Sequence, residues 1–118
     1  MPAPSTLQRG NMLFDSMISA VITPPNALAA ASTTTQTYTV NGLQLGDIIG
    51  AFNFQAALPN NITVVNMFCS SANVLSVQWT NFSAGNSGAS VALNTIIEVC
   101  RFENYVEFGY ASLPTAII

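Results

Sequence analysis

The chain has 118 residues, half of them apolar, with two arginines, five acids, no lysine and no histidine, for a net charge of −3. That length bounds it to one domain with at most appended arms, and without His or Lys the Ser–His, Cys–His and Lys-dependent catalytic pairs cannot be built. Arg9 and Arg101 stand far apart in sequence, so no clustered basic face for nucleic acid or a membrane surface is expected.

The N-terminal run MPAPSTLQRGN is Pro-rich and polar and reads as an extended arm. MLFDSMISAVI follows, where Phe14, Met17, Ile18 and Val21 fit a helical i, i+3, i+4, i+7 stripe, with Asn11 as N-cap and Pro24–Pro25 as the stop. A short helix over 11–22 is therefore one expectation, and an extended segment buried on both sides the other. Residues 1–33 together read as an arm whose removal would leave a folded β core. SMISAVI followed by NALAAA has a faint signal-peptide layout, poorly met because Asp15 interrupts the apolar start and two prolines follow it.

From residue 34 the pattern becomes β. TTQTYTV (34–40) is rich in β-branched and aromatic residues and closes on Asn41–Gly42. DIIGAFNF (47–54) comes next, and strict alternation puts Ile49, Ala51 and Asn53 on one face and Ile48, Phe52 and Phe54 on the other. Pro59–Asn60–Asn61 makes a turn. ITVVNMFCS (62–70) and VLSVQWTN (74–81) flank a tight hairpin at Ser71–Ala72–Asn73. In the second of these, Leu75, Val77 and Trp79 alternate with Ser76, Gln78 and Thr80 as in a half-buried antiparallel strand. SAGNSGAS (83–90) reads as a flexible loop, and TIIEVCRF (95–102) as the last strand. Strands at this spacing indicate a small all-β antiparallel sandwich, jelly-roll-like or immunoglobulin-like, over residues 34–104. The tail from 105 to 118 ends on the apolar SLPTAII, read either as a docking arm or as a strand completing its own sheet.

The search for chemistry yields little. Five scattered carboxylates show no calcium-loop pattern, so neither metal nor cofactor is expected. Glu98, Glu103 and Glu107 form the one acidic cluster, which reads as a solvated or interface-rim face. Cys69 and Cys100 lack metal-ligand spacing and read as two buried thiols, with a bridge possible only if their strands are neighbours. Asn61–Ile62–Thr63 and Asn81–Phe82–Ser83 match the glycosylation pattern by chance composition. Trp79, Tyr38 and Tyr105 could form a sugar platform, but the phase of Trp79 with Leu75 and Val77 favours the core. What stands out is an imbalance: a short chain leaves roughly a third of its unfolded surface exposed, and this one has few ions with which to solvate it. Non-enzymatic association with protein is the expectation.

One resemblance adds to this reading. TYTVNGLQLGD, AALPNNITVVN, SSANVLSVQWTNFSAG and a strand ending VCR follow one another as in a β-sandwich module of tailed-bacteriophage virion proteins, over a little more than half of the chain. In size the chain is most similar to the capsid cement or decoration proteins of short-tailed phages. The resemblance implies a virion structural protein on the capsid exterior, assembled in the host cytoplasm. It would self-associate as a homodimer or homotrimer and bind the major capsid protein. The assembly residues expected are Leu13, Phe14, Met17, Ile18 and Val21 in the first arm and Phe108, Tyr110, Leu113, Ile117 and Ile118 in the last. A phage tail or head-fibre component and a secreted or surface β-sandwich module binding a glycan or protein are the alternatives. The last predicts a cleaved N-terminus near residue 30 and a Cys69–Cys100 bridge.

Overall fold

In VLSVQWT the alternating apolar residues face the core, and that segment forms the central strand of one of two antiparallel sheets; Ser76 and Thr80 on its other side are buried too, so the strand is covered on both faces and not half-buried as expected. The computed structural model describes residues 12–102. Within them the strands are β1 (Met12–Ile22), β2 (Thr33–Thr39), β3 (Ile48–Phe54), β4 (Thr63–Ser71), β5 (Val74–Thr80) and β6 (Leu93–Phe102). Sheet A has the order β1-β6-β3 and sheet B the order β2-β5-β4. The pairing is nested: β1 with β6 and β2 with β5, the outer strands in sequence embracing the inner ones. Rolling this ribbon brings β6 beside β3 and β5 beside β4, a jelly-roll-like connectivity.

Ile22, Ile97 and Val99 from sheet A meet Leu75, Val77 and Trp79 from sheet B, all buried in one cluster. Phe54 tilts its ring against Trp79 at 5.9 Å between centroids. Trp79 is fully buried and is core, so the sugar-platform reading falls with it. The all-β antiparallel sandwich stands as expected, and β2 to β6 lie where the sequence places them.

Several expectations need correction. The run 11–22 is not a helix: residues 12–22 form β1, paired with β6 from Met12 to Ile22. Nor is it buried on both sides, since Asp15, Met17, Ser19 and Val21 face solvent. A short apolar run does not separate the two periods; Ile18, Val21, Ile22 and two serines weaken a helix, and β6 has an edge to be paired. The expected arm 1–33 is consequently not removable as a whole, because Ile22 is completely buried in the core; residues 1–11, with the expected N-cap Asn11, lie outside the described residues. The faces assigned along β3 are shifted by a bulge between Ile49 and Ala51. An extra residue in one strand swaps every later side chain to the other face, so Ile49 packs on the core together with Phe54.

The loop 83–90 is also tied down. Asn81, itself buried, donates from Nδ2 to the carbonyls of Leu28 (3.0 Å) and Gly85 (2.8 Å) and accepts from Ser83 N–H (2.9 Å). Ser87 Oγ accepts from Leu28 N–H at 2.7 Å. This network makes Asn81 a structural turn residue, which explains its glycosylation-like sequence. The turn at Ser71–Ala72–Asn73 is a hairpin, with Asn73 in the left-handed region at φ 64°.

Candidate assembly surfaces

At one end of the sandwich the turn 41–47 is stapled to β6. Arg101 Nε donates to Asp47 Oδ1 at 2.7 Å, and Nη2 donates to Oδ2 at 2.7 Å and to the Gly42 carbonyl at 2.9 Å. Asp47 Oδ2 also accepts from Gln44 N–H at 2.9 Å. The Asp47 carboxyl is buried, and its hydrogen bonds to Arg101 hold its pKa below the usual carboxylate range. A planar guanidinium gripping both oxygens fixes geometry as well as charge. The effect is structural: this ion pair anchors a loop and offers little to a ligand.

With Asp47 and Arg101 spent on one another, the other charges among the described residues are Asp15 and Glu98. Strand pairing brings them together on the outer face of sheet A, where Asp15 sits opposite Cys100 and Met17 opposite Glu98. The donor atoms of Asp15, Glu98 and Cys100 lie within 4.8 Å of one another, with the Cys100 thiol 3.7 Å from Asp15 Oδ1. Hydrogen bonding to Asp15, then its negative charge, raises the Glu98 pKa. Desolvation, followed by the two acids, raises that of Cys100 and keeps it a thiol. The bulge residue Gly50 makes room, since a Cβ there would run into the Glu98 carboxylate. Such a cluster favours the protonated form of Glu98 and disfavours a nucleophilic sulfur.

Around this cluster the face is apolar. Met17 is 70 % exposed, Val21 60 % and Ile48 44 %. The ends of the sandwich add protruding apolar side chains, Leu45 in the stapled turn at one and Phe82, 79 % exposed, with Val91 between β5 and β6 at the other. A cavity of about 430 Å³ opens between β3 and β4, lined by Ile49 to Phe52 and Val64 to Met67. The outer face of sheet B carries no ion: Thr33, Thr35, Thr37 and Thr39 stand in a row beside Ser76, Gln78 and Thr80, with Thr33 and Thr80 hydroxyls 3.1 Å apart.

The edges of the two sheets differ as much as the faces. β3 is interrupted by its bulge, and β4 by two, between Val64 and Asn66 and between Cys69 and Ser71. β2 is a short strand of 7 residues. β1 runs unbroken from Phe14 to Ile22, its irregularity confined to the Met12–Phe14 end.

Of the residues expected to mediate assembly, Met17 and Val21 project outward from β1, whereas Ile18 points inward and is half-buried against the core. Leu13 and Phe14 lie in β1. Phe108, Tyr110, Leu113, Ile117 and Ile118, with Tyr105, Glu103 and Glu107, lie outside the described residues. The acid pair Asp15–Glu98 and the staple Asp47–Arg101 were not foreseen. Cys69 is buried inside sheet B, and Cys100 is half-buried on the outside of sheet A; both are free, so the Cys69–Cys100 bridge is not formed and only one thiol is fully buried. Cleavage near residue 30 would remove β1 altogether. No helix among the described residues is long and apolar enough to cross a membrane. Compared with known proteins, the chain matches no family model, no curated protein and no solved structure.

Proposed function

We infer that this chain is a non-enzymatic structural protein whose work is assembly: it packs against copies of itself and against a larger protein shell. The observation that carries the reading is the nearly ion-free exterior. Two of the four charges among the described residues are tied together in the Asp47–Arg101 pair, and large apolar side chains at Met17, Val21, Leu45 and Phe82 stand in water. Surface of this kind is stabilised by protein contact.

The finer reading, a capsid cement protein of a tailed bacteriophage that binds the major capsid protein on the outside of the head, rests on the resemblance over residues 37–101. The mechanism would be mechanical, many small apolar contacts spread over several shell subunits offsetting the entropy lost on association. The test is direct. Purified phage heads lacking the chain are incubated with it and separated by sedimentation. The chain should bind at a fixed number of copies per head and stay bound in about 1 M salt, because an interface with few ions is little screened. Recovery of the chain with tails or fibres in place of heads would move its location; recovery with no part of the particle would end the virion reading.

A further inference from the structure

Hydrogen-bonding groups along the outer side of an edge strand must find water or another strand. Three of the four edges here are blunted, β3 and β4 by mid-strand bulges and β2 by its length and its row of exposed threonines. β1 has no such protection. It is 11 residues long, its pairing is regular from Phe14 onward, and Asp15 is its single charge.

We propose that β1 is the self-association surface, pairing antiparallel with β1 of a second copy about a two-fold axis at Met17, so that two A sheets become one continuous sheet. The proposal rests on the assembly reading above and names its partner and its surface. Several observations select a second copy as the occupant. An antiparallel edge is self-complementary under two-fold symmetry, and centring it on Met17 overlaps the strand along its whole length. That register sets Asp15 opposite Ser19 of the second copy and not opposite another acid, so like charges do not meet. It also sets Ser16 opposite Ile18 of the second copy. Beside Ser16 the inner side of β1 borders a cavity of about 160 Å³, lined by Ile18, Leu43 and Val99 together with Asn41, Gly42 and Arg101, and this pairing directs that isoleucine toward it. Ile18 and Ala20 point inward yet stay only half-buried in one copy, and a neighbouring strand completes their cover. On the outer face the exposed Met17 side chains then meet each other across the axis.

The experiment uses the full chain. Sedimentation velocity across a hundredfold concentration range should show a dimer. Met17→Lys places two ammonium groups face to face and should weaken that dimer at least tenfold, while circular dichroism of the variant stays unchanged because residue 17 is exposed. In a Cys100→Ser background, Met17→Cys should form a disulfide-linked dimer on mild oxidation. Its two copies lie within the roughly 4.4–6.8 Å between Cα atoms that a bridge requires. Val21→Cys should not link, since positions 21 would be about 27 Å apart at roughly 3.4 Å per residue. An oligomer that tolerates Met17→Lys and gives no link at 17 overturns the β1 surface and leaves the assembly reading standing. A chain monomeric at every concentration overturns the β1 pairing and the self-association in the proposed function together. Slow exchange in that monomer of the β1 amides that point away from β6 would show that another segment of the same chain covers the edge.

Discussion

Sheets A and B follow one plan, three antiparallel strands with the middle one supplying most of the shared core, yet they meet water in opposite ways. Sheet B satisfies its outer face from within. Hydroxyls and amides stand in register across β2 and β5, with Ser76 donating to Ser70 of β4 at 2.7 Å and the Thr33–Thr80 pair beside it; Phe68 on β4 is a large apolar side chain among them, and the edges of the sheet are short or bulged. Sheet A carries exposed methionine, valine and isoleucine on its outer face, an acid pair in their midst, and one long regular edge. A face that hydrogen-bonds to itself and to water needs no partner; an uncapped strand with apolar side chains on it does. The asymmetry says where a small domain short of charge would spend its unsatisfied surface: on the side of β1.

The comparison breaks most completely from the inside. Trp79→Ala removes the largest fully buried side chain, the one on which Phe54 rests, and should cost about 3–5 kcal/mol. In a domain this small that approaches the whole stability, so thermal unfolding followed by circular dichroism should lose its cooperative transition. Val21→Ala on the outer face of β1 should change stability by no more than about 0.5 kcal/mol. A similar cost for both would mean that the distinction between core and display surface is misdrawn.

A middle-sized effect sits at the stapled turn. Asp47→Ala removes a bidentate pair and the acceptor for Gln44, and should cost about 2 kcal/mol, as expected for charge-assisted hydrogen bonds. Because the folded pKa of Asp47 is lowered, its contribution is complete above the ordinary carboxylate range and is lost as pH falls through the folded value. Denaturant melts between pH 2 and 7 should therefore show a shallower acid decline in the variant than in the parent chain. An identical slope would mean that the carboxyl gains nothing from Arg101.

What the sequence discloses and what it withholds divide along physical lines. β2 to β6 were legible because alternation, β-branched residues and Asn/Gly/Pro turns agree there. β1 was not, because Phe14, Met17, Ile18 and Val21 satisfy a helical stripe while Ser16, Ile18, Ala20 and Ile22 line the inner face of a strand; only the need of β6 for a second neighbour decides between them. Met17 and Val21, expected among the assembly residues of the first arm, are exposed on the strand, whereas Ile18 of the same expected stripe turns inward. Gly50 in IIGAF was the available signal for the bulge. The acid cluster had no local signal at all, because Asp15 and Cys100 lie 85 positions apart and meet only through strand register.

That cluster yields the smallest effect, and its sign is opposite to that of Asp47. Glu98 has a raised pKa because Asp15 bonds to it and repels its charge. Well below the ordinary value it is protonated whether the chain is folded or not. As pH rises past that value the unfolded chain releases the proton first, the folded chain holds more protons, and stability falls until the folded group has titrated. Asp15→Asn removes the negative neighbour, so the Glu98 titration followed by carboxyl NMR should move down toward the usual range, and the loss of melting temperature on passing from about pH 4.5 to neutrality should shrink. The group is solvent-open, so salt should mute the difference. If Glu98 titrates at the same pH in both proteins, Asp15 is not what raises its pKa, and strand register alone brings the two side chains together on the outer face of sheet A.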